Sequence, residues 1–248
     1  MLEYAATARR MKEVLGLEAE PVAVYLLRPE DERGGNSFTR APGHRYCQAL
    51  MRARRGERIL LTSQDLACPA AAAAFGFRPL PEGLANGKGL VGFGIVEDAA
   101  AGQAMFDSMP KLQAGRVISI AIAPLARADS VPDVVVVEGP PEPLMWLALA
   151  DLNVAQGARR HGDTAVLQAT CVDATIIPYL EHRLNYSLGC YGCREATDLG
   201  PGEAVIGFPG SRLEALVDAL DHLAAKAIPR SRAKTALKNL QRKDAPHD

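Results

Sequence analysis

The chain has almost no net charge, since 28 lysines and arginines stand against 29 aspartates and glutamates, a formal charge of -1. A balance of that kind provides no global field to gather nucleic acid or anionic lipid, so no nucleic-acid partner is expected. Long apolar runs are missing too. None approaches the ~20 residues a membrane helix requires, and the opening Met1-Leu2-Glu3-Tyr4-Ala5 lacks the basic-then-apolar build of a signal peptide. No membrane association is expected, and the protein is read as cytoplasmic. Aromatic residues make up only 5% of the chain, which suits close packing of helices on a sheet and says nothing of function.

Nucleotide signatures are absent as well. The glycine-rich stretch from Gly83 to Gly94 includes Lys88 but matches neither the P-loop nor the dinucleotide fingerprint, so its glycines are read as turn and strand residues. His44, His161 and His182 have no partner at metal-site spacing and are read as loop or surface residues. No internal repeat occurs. Cysteine is scarce and odd in number: five, at positions 47, 68, 171, 190 and 193. Without a secretion signal, these predict reduced thiols rather than a disulfide framework.

What is present reads as alternating strands and helices. Glu3 to Leu15 is helical in spacing and stops at Gly16. Pro21-Val-Ala-Val-Tyr-Leu-Leu is a strand, and Arg33 to Arg45 is a polar loop with a Gly-Gly-Asn turn signal. Tyr46 to Arg55 predicts a helix, Arg58 to Thr62 a strand, and Cys68-Pro69 followed by five alanines a helix with Cys68 at its N-cap. Gly89 to Val96 predicts a glycine-laced strand and Asp98 to Met109 a helix. Val117 to Ala123 and Val134 to Val137 are apolar runs of the kind covered on both faces. A helix from about Leu144 to Gln156, a strand over Val166 to Val172, a helix over Ile176 to Leu184, a strand over Ala204 to Phe208 and a helix over Ser211 to Ala227 complete the reading.

The expected fold is therefore α/β (mixed α+β): a single layered domain over residues 1–229, with a mostly buried mixed sheet flanked by helices. Residues 230–248 form a basic C-terminal tail, expected to be a frayed helix or disordered. The sequence sets no oligomeric state.

Chemistry is expected from the cysteines. Cys190-Tyr-Gly-Cys193 has the spacing that clasps a metal or exchanges a disulfide, but no second close pair completes a zinc knuckle, for Cys171 stands alone and Cys47 and Cys68 lie 21 residues apart. Cys68 at an N-cap should face free amides and favour the thiolate, the form that ligates metal and attacks electrophiles. Against this stands the common fate of free cysteine as a small buried hydrophobe. Arg194 and Glu195 beside the pair are read as an exposed ion pair.

The segments Arg45-Tyr-Cys47-Gln, Asp65-Leu-Ala-Cys68-Pro with Phe75-Gly-Phe, the isolated Cys171, and Asn185-Tyr-Ser-Leu-Gly-Cys190-Tyr-Gly-Cys193-Arg together resemble the uncharacterised family named domain of unknown function 169, over nearly the whole chain. The resemblance implies one cysteine per segment, a ligand set of Cys47, Cys68, Cys171 and Cys190 suited to a [4Fe–4S] iron–sulfur cluster. Cys193 is then a spare ligand, a resolving cysteine or neither. The implied function is that of an iron–sulfur redox protein or reductase-like enzyme of unknown substrate, served by a redox partner or a small-molecule substrate. The alternative is a non-catalytic protein that holds zinc on the same thiolates or senses metal or redox state.

Overall fold

Val22–Leu27 offers no polar side chain to turn toward solvent, and all six residues are buried in β1, the middle strand of the sheet. The computed structural model describes residues 3–31 and 37–243. Helix α1 (Tyr4–Leu15) precedes β1 and ends at Gly16, whose φ of 73° lets its N–H reach back to the Lys12 carbonyl. After β1 come β2 (Thr39–Arg40), α2 (Tyr46–Ala53), β3 (Ile59–Thr62) and α3 (Pro69–Ala74). Three short helices follow, α4 (Glu82–Ala85), α5 (Lys88–Gly92) and α6 (Ala99–Asp107), then β4 (Ser119–Pro124), β5 (Val134–Gly139) and α7 (Pro141–Val154). A π-helix (Ala169–Ile176), α8 (Ile177–Glu181), β6 (Asn185–Ser187), α9 (Tyr191–Ala196) and β7 (Ala204–Pro209) lead to α10 (Leu213–Ala225), α11 (Ala227–Ala233) and α12 (Thr235–Lys243).

The seven described strands form one sheet in the order β2-β3-β4-β1-β5-β7-β6. Pairing is parallel between β2 and β3 and antiparallel elsewhere, with Val24 opposite both Ile122 and Val134. The sheet is thus mixed, and the fold is mixed α+β. Side chains alternate across β1: Val22, Val24 and Leu26 enter one core with α2, α3 and the π-helix, whereas Ala23, Tyr25 and Leu27 enter a second with α1, α7 and α10. Helices on both faces explain why β1, β4 and β5 lack polar alternation. All five cysteines belong to the first core or pack against it.

Two expected strands are absent. Gly89 to Val96 is not a strand: Lys88–Gly92 is helical, and the chain then turns at Gly94. The glycines serve helix contact instead, since Gly87 and Gly102 bring α5 and α6 so close that a Cβ on either would overlap the other segment's backbone. Val166 to Val172 is not a strand either. Val166 and Gln168 take left-handed φ values of 55° and 56°, and Ala169–Ile176 winds as a π-helix in which the Thr175 hydroxyl donates to the Thr170 carbonyl at 2.7 Å. The helix expected to reach Leu184 stops at Glu181, where His182 turns with φ 49°, and β6 begins at Asn185.

Of the loop expected over Arg33 to Arg45, residues 33–36 lie outside the described residues, and the remainder contains β2. The basic tail is helical through Lys243, with residues 244–248 outside the described residues. Arg232 is not simply solvated. It pairs with Glu142 at 2.9 Å and donates to the Leu15 carbonyl at 2.9 Å, tying α11 to α7 and α1.

Candidate functional site

Four separated stretches of sequence converge on one cavity because short backbone ties hold their ends. The turn before α2 and the turn before α3 are joined by a parallel bridge between His44 and Leu66 and by the Ala67 N–H donating to the His44 carbonyl at 2.9 Å. Asp65 sets the second turn: its buried carboxylate accepts from the Thr62 N–H and hydroxyl at 2.9 and 2.7 Å and pairs with Arg40 at 2.7 Å. Burial opposes ionisation there, but the hydrogen bonds from Arg40 and Thr62 keep its carboxyl below the usual range. These ties place Cys47, in the first turn of α2, beside Cys68 at the N-cap of α3.

A second set of ties brings α9 to α2. Arg45 Nη1 pairs with Glu195 at 2.7 Å and donates to the Gly192 carbonyl at 3.3 Å, while Gln48 Nε2 donates to the Ala196 carbonyl at 3.2 Å. Glu195 is therefore bound to Arg45 rather than to its neighbour. Arg194 instead donates to the carbonyls of Leu188, Gly200 and Glu203, fixing the turns on either side of α9. The π-helix supplies the last wall. Tyr46 of α2 hydrogen-bonds Thr175 at 2.8 Å in the buried core, and Thr170 lies 3.5 Å from the Cys193 sulfur.

The result is a cavity of about 440 Å³ lined by Cys47, Cys68, Cys171, Cys190 and Cys193 together. Leu84, Leu90, Phe93 and Phe106, from the α4–α6 segment, close the opposite wall, and the exposed rings of Phe93 and Tyr191 stand at its edge. Four of the cysteines are buried; Cys68 is half-buried.

The five thiols are not equivalent. Cys190 is the N-cap of α9, and its sulfur accepts from the Cys193 N–H at 3.3 Å and lies 3.0 Å from the Cys193 sulfur. That contact and then burial push the Cys190 thiol far above its usual range. The same contact lowers Cys193, but its bond to Cys47 and its burial outweigh this and push it up to about 12. Burial raises the Cys171 thiol, and the neighbouring thiols of Cys68, Cys193 and Cys190 raise it further. Its sulfur faces the Gln168 carbonyl at 3.6 Å. Cys68 holds the expected N-cap position, yet its sulfur makes no capping hydrogen bond to the amides of α3; a cysteine sulfur makes that bond at Cys190.

Among the described residues, no three His, Cys, Asp or Glu side chains are placed to hold a single metal ion. Sequence reasoning selected the cysteines but missed Arg45, Thr170 and the apolar wall, whose roles depend on partners distant in sequence. No described helix is long and apolar enough to cross a membrane.

The profile of the DUF169 family, described as uncharacterised ArCR, matches residues 10–219. The chain is 32% identical over 223 residues to an uncharacterized protein of Methanocaldococcus jannaschii, a span that covers 89% of this chain and 94% of that relative. No solved structure matches the chain significantly.

Proposed function

We propose, for a chain that belongs to the DUF169 family, that the cavity holds an iron–sulfur cluster of the [4Fe–4S] type and that the protein is a cytoplasmic redox protein or reductase-like enzyme. The observation that carries this reading is the meeting of five thiols from four separated segments around one cavity. Thiolates are the usual ligands of such clusters, and a cubane spans donors that a tetrahedral zinc, with Zn–S near ~2.3 Å, would have to draw together. Zinc held on the same thiolates is the alternative.

Cys47, Cys68, Cys171 and Cys190 would be the ligands. Cys190 and Cys193 stand 3.0 Å apart, so they offer one coordination direction between them. When bound, the cluster supplies one-electron transfer at a potential set by charge, hydrogen bonds and exposure. The chain's own residues provide the enclosure: Phe106, Leu90 and Leu84 exclude water from one side, and the Thr170 hydroxyl lies 3.5 Å from the Cys193 sulfur. Phe93 and Tyr191 leave an apolar edge at which a redox partner or a small apolar substrate can approach.

Purification without oxygen tests the reading. It predicts brown protein with about four irons and four sulfides per chain by elemental and sulfide analysis. Colourless protein with stoichiometric zinc would establish the metal-binding alternative, and metal-free protein after reconstitution with iron and sulfide would sink both.

A further inference from the structure

We infer that Cys190 and Cys193 are a reversible dithiol–disulfide pair that controls whether Cys190 can serve as a ligand. The pairing itself is independent of the cluster; its consequence for cofactor uptake rests on the function proposed above. Three observations single out this pair. Cys190 sits at the N-cap of α9 and Cys193 three residues on, so one turn of helix places both sulfurs on the same side. Their sulfurs are 3.0 Å apart, and the Cys193 N–H holds the Cys190 sulfur in place at 3.3 Å. A disulfide needs ~2.05 Å between sulfurs, an approach of about 1 Å that side-chain rotation can supply. By contrast, the Cys171 sulfur is turned to the Gln168 carbonyl.

Both residues line the cavity, so a small oxidant that enters it reaches them. With a low-molecular-weight disulfide as oxidant, one cysteine loses its proton and its thiolate attacks a sulfur of the oxidant. One thiol leaves and a mixed disulfide forms. The second cysteine gives its proton to solvent base and displaces the other half; both thiols are raised, so the exchange is slow near neutrality and is run at alkaline pH. The sum is two cysteine S–H bonds and one S–S bond broken, one protein S–S bond and two small-molecule S–H bonds formed. The protein is oxidised by two electrons and the small disulfide reduced by two. In that state Cys190 has no thiolate to offer, so the ligand set is incomplete until a dithiol reverses the exchange.

The test uses full-length, metal-free wild-type protein treated with 2-hydroxyethyl disulfide, then alkylated and mapped by mass spectrometry. Expected is the loss of two alkylatable thiols out of five, with the peptide spanning Cys190 and Cys193 lighter by two hydrogens and restored by dithiothreitol. In Cys193→Ser the exchange should stop at a mixed disulfide on Cys190. Both cysteines remaining alkylatable in the wild type, or a Cys47–Cys193 link in their place, would overturn the pairing, and neither result needs a variant that folds. Iron and sulfide are then offered to oxidised and to reduced wild type. Uptake by the reduced form alone supports the control of ligation, and equal uptake by both forms refutes it. A disulfide that forms in a protein taking up no iron in either state leaves the pair standing and removes the cluster.

Discussion

Gly207 of β7 passes directly under the carbonyl of Ala174 in the π-helix, so close that a Cβ at position 207 would overlap that oxygen. The missing side chain is what lets the π-helix lie on the sheet, and the π-helix is what carries Cys171 to the cavity. Gly207→Ala is therefore expected to destabilise the protein at the upper end of the roughly 1–3 kcal/mol typical of overpacked cores, or beyond. Bound iron per folded chain should fall with it. Denaturant unfolding and iron analysis of the folded fraction check both effects; a neutral substitution would show that the contact relaxes freely.

The same helix is held from α2 by a single buried hydrogen bond. Tyr46 donates to the Thr175 hydroxyl at 2.8 Å, and that hydroxyl donates onward to the Thr170 carbonyl at 2.7 Å. In Tyr46→Phe the ring keeps its tilted contact with Phe75, at 4.9 Å between centroids, and Thr175 keeps an acceptor. Only one net hydrogen bond is lost, so the expected cost is about 1 kcal/mol. A loss above about 3 kcal/mol in equilibrium unfolding would mean that the bond organises the whole π-helix.

The sheet's apolar framework was legible in the sequence because its cause is local. Val117 to Ala123 and Val134 to Val137 have no polar alternation and so had to be covered on both faces, as the strands Ser119–Pro124 and Val134–Gly139 are. Gly16 and Pro69 likewise marked a helix end and a helix start from their own backbone preferences. Gly89 to Val96 and Val166 to Val172 were misread as strand because their conformations are set by neighbours: Gly89 packs against the Gly83 carbonyl, and the π-helix that begins at Ala169 lies on Gly207. At the site, cysteine identity was readable, yet the tie between Arg45 and Glu195 joins residues 150 positions apart and has no local signature.

Away from the cavity, Glu138 is a buried carboxylate open to a pH test. Desolvation is the largest influence on it and, with Glu203 and Asp198 nearby, outweighs the Arg54 guanidinium 3.1 Å away, so its carboxyl is pushed up to about 7. The folded protein then holds a proton that the unfolded chain releases above about pH 4.5. Stability contributed by this proton is full below that pH and is lost as the pH rises through about 7, in total roughly 3 kcal/mol at ~1.4 kcal/mol per pH unit. Glu138→Gln removes the titration. Between pH 5 and pH 8 the wild type should lose stability relative to the variant, measured as the difference in urea midpoints. A difference that stays constant, or grows in the wild type's favour, would show that the ion pair with Arg54 wins.

Cys171 separates a ligand from a small buried hydrophobe most cleanly, because it is buried and its sulfur faces the Gln168 carbonyl. If its role were packing, Cys171→Ala would cost on the order of 1 kcal/mol for the lost sulfur and leave bound metal unchanged. If it is one of four cluster ligands, the same substitution should abolish most of the iron and the visible absorption as well, at the same cost to the metal-free protein. Cys193→Ala gives the contrast. Its sulfur shares one coordination direction with Cys190, so reduced Cys193→Ala protein should still load iron. Iron retained in Cys171→Ala and lost in Cys193→Ala would reverse the assignment and place Cys193 in the ligand set, leaving Cys171 to the core.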